Sequence, residues 1–119
     1  MPARNDLLEQ RLSEDHEIHI TVKGRKSGRD RALPIWFVFD AGTLYLLPVR
    51  GSDTPWYKDV LRNPSIGVDA QAMQARFRVV PVTDHTQVSL IIEKFRAKYG
   101  DAGVRLYSKL DVAVVGKPG

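Results

Sequence analysis

Residues 33–49 read LPIWFVF-DAG-TLYLLPV, two apolar runs separated by a three-residue turn. In an extended chain Leu33, Ile35, Phe37 and Phe39 share one face and Pro34, Trp36 and Val38 the other, so both faces are apolar. Thr43 to Val49 is apolar on both faces as well. Asp40-Ala41-Gly42 has the composition of a tight turn, so the two runs are predicted to pair as an antiparallel hairpin at the centre of a sheet.

Upstream, Ile18, Ile20 and Val22 alternate with His19 and Thr21, which predicts a strand over Glu17 to Val22 with one buried face. Before it, residues 4–13 place Leu7, Leu8, Arg11 and Leu12 on neighbouring turns of a short amphipathic helix. Downstream, Thr54 reads as an N-cap with Pro55 at the first helical position, opening a helix to Arg62 that Asn63-Pro64 stops. Ser65 to Asp69 and Gln74 to Val82 read as strands, the second with Arg76 and Arg78 pointing the same way.

Asp84 followed by Gln87 resembles a capping box. It opens a helix whose stripe of Val88, Ile92, Phe95 and Tyr99 is core packing and which Gly100 ends. Asp111 to Val115 is the last strand. About six short strands with two or three flanking helices predict an α+β fold, a small antiparallel split β-barrel. Pro34 and Pro48, inside strand-like runs, belong at edges or bulges, and the binding groove is expected at such an opening.

The 119 residues are predicted to form a single split-barrel domain, 1–119. The lack of Cys excludes disulfides, a thiol nucleophile and Cys-ligated metal centres. The N-terminus has no long apolar run, so neither a signal peptide nor a membrane span is expected, and the predicted location is cytoplasmic.

The net charge of +4 resides in one segment, Lys23 to Arg31 (KGRKSGRDR). Lys23, Arg25, Lys26, Arg29 and Arg31 stand there against Asp30 alone. With Ser27 and the flexible Gly24 and Gly28, these are the parts of a phosphate or carboxylate cradle; the alternative is a solvated turn. The segment is neither a Walker A motif nor a dinucleotide fingerprint. Nucleic-acid binders spread their cations over a face, so nucleic acid is not the expected partner. His16 and His19 would face opposite sides of a strand, no metal site is predicted, and no catalytic triad or nucleophile is marked.

The aromatic residues Trp36, Phe37, Phe39, Tyr45, Trp56 and Tyr57 concentrate near the expected groove. Most should pack in the core, while Trp56 and Tyr57 are candidates for covering a flat ligand. Anionic phosphate at one end and a planar ring at the other describe a flavin-like cofactor, which itself carries the reactive centre, so no side chain is assigned as catalytic.

Gly24-Arg25-Lys26-Ser27-Gly28, Arg31, Pro34, Trp36-Phe37-Val38, Leu44-Tyr45-Leu46, Trp56-Tyr57, Leu61 and Asn63-Pro64 follow one another in an order that resembles the deazaflavin-dependent nitroreductase family. Its members share a split β-barrel related to flavin-binding pyridoxamine-phosphate oxidases. The resemblance implies binding of coenzyme F420, with Arg25, Lys26, Ser27, Gly28 and Arg31 around its phosphate and acidic tail. It further implies Pro34, Val49, Arg50, Gly51, Ser52 and Trp56 along the ring, and hydride transfer to an electron-poor organic acceptor such as a nitroaromatic or quinone. The segment Val49 to Asp53 departs from the small polar Asn- and Gly-containing stretch common in that family. FMN is the alternative cofactor, and a non-catalytic nucleotide- or RNA-binding module the alternative function. The doubly apolar faces of Leu33 to Val49 point to a homodimer.

Overall fold

The computed structural model describes residues 10, 12, 15–70 and 73–119. Seven strands, β1 (Ile18–Lys23), β2 (Asp30–Ile35), β3 (Phe37–Asp40), β4 (Thr43–Leu46), β5 (Ser65–Ala70), β6 (Met73–Val82) and β7 (Ala113–Pro118), form one sheet. They lie in the order β2-β1-β5-β6-β7-β4-β3, and every pairing is antiparallel. Two helices, α1 (Pro55–Arg62) and α2 (His85–Val104), and a 3₁₀ turn over Gly51–Asp53 complete the described elements. The helix expected over 4–13 falls largely outside the described residues; Leu12, from its span, is fully buried.

The expected strand Leu33 to Phe39 is two strands, which makes the count seven rather than six. The break falls at Trp36: β2 pairs with β1, β3 pairs with β4, and these two neighbours in sequence are the opposite edges of the sheet. The hairpin therefore lies at an edge and not at the centre, which β5, β6 and β7 occupy. One residue joining both edges requires the sheet to curl until they converge, and that convergence is the split of the barrel. The turn has φ of 51° at Ala41 and 79° at Gly42, two successive left-handed residues whose twist suits a two-residue hairpin.

Alternation gives the curled sheet two apolar faces. Ile18, Ile20, Val22, Phe37, Leu44, Leu46, Ile66, Val68, Phe77, Val79 and Val114 fill the barrel, and Trp56, Tyr57 and Val60 of α1 plug its end. Outside, Val38, Val82 and Ala113 meet Val88, Ile91 and Phe95 of α2. The expected cap of α2 is formed, Asp84 accepting from the Gln87 N–H at 3.0 Å. Gly100, at φ 80°, interrupts the helix, and one more turn runs to Val104.

The break at Trp36 is clasped from α2. The Tyr99 hydroxyl accepts from the Phe37 N–H at 2.9 Å and lies within donating distance of the carbonyls of Phe37 (2.7 Å) and His16 (2.8 Å). Its ring stacks on Trp36 with centroids 4.5 Å apart. Lys98 donates to the Phe37 carbonyl at 2.8 Å and lies over the Phe37 ring. Among the described residues no helix is long and apolar enough to cross a membrane.

Candidate cofactor site

The basic segment becomes the connection between β1 and β2, and much of its donor capacity is engaged within the fold. Gly24 N–H donates to the Arg29 carbonyl (2.9 Å), Gly28 N–H to the Gly24 carbonyl (3.0 Å), and Arg29 N–H to the Ser27 hydroxyl oxygen (3.2 Å). Gly28, at φ 69°, makes the reversal possible. The N–H groups of Lys26 and Ser27 remain without an acceptor among the described residues, as do the exposed side chains of Lys26 and Arg29.

Asp59 organises two more of the cations, Arg25 and Arg31. On α1 it follows Trp56 by one turn and precedes Val60, so the helical period carries it inward with them, and it is only 3% exposed. One carboxylate oxygen accepts from the Arg25 guanidinium at 2.8 Å and the Arg25 N–H at 3.1 Å; the other accepts from Arg31 at 3.0 Å. Arg25 also donates to the Pro55 carbonyl at 3.3 Å. A carboxylate this deep would be costly alone, and the guanidinium pair offsets that cost. The sequence reading missed Asp59, whose signal was an acid on the apolar stripe of a helix.

A concavity of about 440 Å³ is walled by Arg25, Lys26, Ser27, Arg29 and Arg31, with Pro55 and Asp59 on its helical side. A second, of about 340 Å³, lies beside it. Leu33, Pro34 and Trp36 at the edge of β2 line this second one, with Val49, Trp56 and Tyr107 facing them. The two adjoin along β2, where Arg31 belongs to the first and Leu33 to the second, and across the start of α1, where Pro55 and Trp56 divide in the same way. A cationic recess and an apolar slot thus lie side by side at the split.

Of the sequence-predicted residues, Arg25, Lys26, Ser27 and Arg31 meet in the basic recess, and Pro34, Val49 and Trp56 in the slot. Gly28 shapes the loop but lines neither. Arg50, Gly51 and Ser52 line neither, and are fastened to the segment before β7. Ser52 donates from its N–H (3.0 Å) and hydroxyl (2.6 Å) to Asp111, and Arg50 forms an isolated bridge with Lys109. Gly51, at φ 55°, packs so closely on Asp111 and Lys109 that a side chain would not fit. Thr54 does not cap α1 with its hydroxyl, which accepts instead from the Arg50 N–H at 2.8 Å. Tyr57 is buried among barrel residues and does not cover the slot, and Trp56, though 5% exposed, reaches its wall.

Tyr107, which the sequence reading did not single out, closes the slot from the turn after α2. Burial, with Tyr99 nearby, raises its pKa strongly, so the phenol stays protonated across the neutral range. No group of three or more metal-ligating side chains occurs among the described residues.

A family model described as an uncharacterized protein conserved in bacteria (DUF2255) matches residues 9–113. None of the curated proteins matches the sequence. Among solved structures, an F420-H2 dependent reductase (FDR-A) is 18% identical with TM-score 0.67, covering 86% of this chain and 94% of that one. A Listeria innocua protein assigned as a pyridoxamine 5′-phosphate oxidase is 17% identical with TM-score 0.68, covering 95% and 90%. The haem storage protein HutZ of Vibrio cholerae is 10% identical with TM-score 0.73, covering 99% and 92%. These likenesses are of fold: the chain has the split barrel that F420-dependent reductases and pyridoxamine-phosphate oxidase-like proteins share, in agreement with the resemblance read from its sequence.

Proposed function

The chain belongs to the DUF2255 family, and we propose that it is an oxidoreductase which binds a deazaflavin cofactor, coenzyme F420, and serves hydride transfer to an electron-poor organic acceptor such as a nitroaromatic or quinone. The observation that carries this reading is the adjacency of the basic recess and the apolar slot along β2 and the start of α1, two neighbouring spaces that match a phosphate and a planar ring. Solved structures of the same fold include F420 reductases, which supports the choice of cofactor class.

The bound cofactor supplies the hydride. The chain supplies position. Lys26, Arg29 and the Ser27 hydroxyl would hold the phosphate and acidic tail, since they are donors of the recess without an acceptor among the described residues. Asp59 keeps the Arg25 and Arg31 guanidinium groups fixed at the recess wall, so that they present charge without the entropy cost of ordering. Pro34, Val49, Trp56 and Leu106 bound the slot and exclude water from the ring, and the Tyr107 phenol can donate a hydrogen bond within it. The organic acceptor would enter over the exposed part of the slot between Val49 and Leu106, which are 50% and 67% exposed.

FMN is the second reading, favoured by the same recess, because a phosphomonoester needs the same donors. Titration of the purified protein with F420 and with FMN, followed by fluorescence, separates them. Saturable F420 binding that Lys26→Ala weakens is the expected result. Binding of FMN alone moves the assignment to flavin, and binding of neither removes the cofactor reading.

A further inference from the structure

Among the described residues, the outer face of the sheet is covered by α2 only over β3, β4, the start of β7 and the end of β6, where Val38, Val82 and Ala113 lie beneath it. Among the described residues nothing covers the remainder, over β2, β1, β5, the first half of β6 and the end of β7, and the strand registers arrange its side chains in rows. Thr21, Gly67 and Arg76 form one row across β1, β5 and β6. Ser65, Arg78 and Lys117 form the next across β5, β6 and β7, and Lys23, two residues beyond Thr21, extends it on β1. A concavity of about 410 Å³ along these rows gathers the side chains of Lys23, Arg76, Thr21, Ser65 and Asn63 against the single acid Asp30.

Lys23, Arg76, Arg78 and Lys117 are exposed and have no ion-pair or hydrogen-bond partner among the described residues, whereas Arg25, Arg31, Lys94, Arg96 and Lys109 are all paired. Among the described residues Asp30 and Asp69 are the acids on this face, against Lys23, Arg76, Arg78 and Lys117, which leaves a positive excess. We propose that this face binds the phosphate backbone of a nucleic acid duplex, seating phosphates along Lys23, Arg76, Arg78 and Lys117.

The composition of the face selects this partner. It carries no Trp, Tyr or Phe on which unstacked bases could stack, so contacts to a duplex backbone fit it better than capture of a single strand. It has no aromatic or large apolar centre of the kind that anchors a protein partner. Of the five exposed large apolar side chains among the described residues, Val49, Leu61, Leu90 and Leu106 belong to other elements and Val80 alone borders it, which leaves little to insert into a lipid surface. Sequence spacing alone showed Arg76 and Arg78 on one side; the fold adds Lys23 and Lys117 to them. The inference is independent of the cofactor reading, since none of these four residues lines the apolar slot or the basic recess.

The test is fluorescence anisotropy of a labelled DNA duplex titrated with the full chain. Contacts to four phosphates predict that affinity falls roughly a hundredfold between about 50 and about 200 mM salt. In the Arg76→Ala/Arg78→Ala/Lys117→Ala variant the fall should shrink to about fourfold, the dependence of the one remaining contact. Arg76→Lys/Arg78→Lys should keep the parent's salt dependence, and matching circular dichroism and melting curves establish that all variants fold. Absence of binding at about 50 mM salt, an unchanged salt dependence in the triple variant, or preference for phosphatidylserine vesicles over the duplex would each overturn the proposal.

Discussion

Arg25→Ala and Lys26→Ala each remove one cation from the same loop, and the structure separates their consequences. Lys26 is exposed and has no partner among the described residues, so its loss should leave stability within about 0.5 kcal/mol while weakening cofactor binding by about 1–3 kcal/mol, the value of a charge-assisted contact. Arg25 is one of two guanidinium partners of a buried carboxylate, so its loss should lower stability by about 1–2 kcal/mol even without ligand. The backbone N–H of residue 25 and Arg31 still serve Asp59, which keeps the cost below that of a fully orphaned charge. Urea midpoints of the free proteins and calorimetric titration of each variant measure the two effects apart. A destabilised Lys26→Ala would show that the loop's charge is structural throughout. The sequence makes the loop's charge plain but not this division, because the residue that imposes it lies 34 positions from Arg25 and meets it only through the fold.

Strands and helices were legible where the signal is local. Pro55 to Arg62 is bounded by a proline at each end, Asp84 with Gln87 marks the start of α2, and both elements form where those residues place them. The break at Trp36 was not legible, because Leu33 to Phe39 is apolar on both faces throughout. Its cause is the distant pairing of β2 with β1 and of β3 with β4. What holds that break is also distant, the Tyr99 hydroxyl on the Phe37 backbone. Tyr99→Phe keeps the ring on Trp36 but leaves the Phe37 N–H without an acceptor, and should cost about 1–3 kcal/mol with little change in the slope of urea unfolding. A midpoint equal to the parent's would mean that water or a neighbouring group replaces the hydroxyl. At the β3–β4 turn, Ala41 adopts φ 51°, a strained position for a residue with a Cβ. Ala41→Gly should therefore gain up to about 1 kcal/mol, read as a higher melting temperature, and a lower one would show that the lost chain entropy outweighs the relieved strain.

At the scale of the molecule, the helix α2 that clasps the barrel also makes stability depend on alkaline pH, in two opposed stages. Burial lowers the Lys98 pKa from 10.5 to about 8, so above pH 8 the folded protein releases a proton that the unfolded chain retains. The unfolded state then binds more protons, and stability rises with pH from about 8 towards 10.5. Because Lys98 is partly open to solvent, the gain is about 1 kcal/mol rather than the full value of the shift. Tyr99 acts in the opposite sense, its pKa raised from 10.0 to about 12 by burial. Between those values the folded state holds the extra proton, so stability falls, and Tyr57 and Tyr107, also raised by burial, add to the fall. Urea midpoints measured across this range should therefore pass through a maximum near pH 10, and Lys98→Met should abolish the rising limb while leaving the falling one. A flat profile from pH 8 to 10 in the parent would mean that the Phe37 carbonyl and ring, which favour the ammonium, cancel its desolvation.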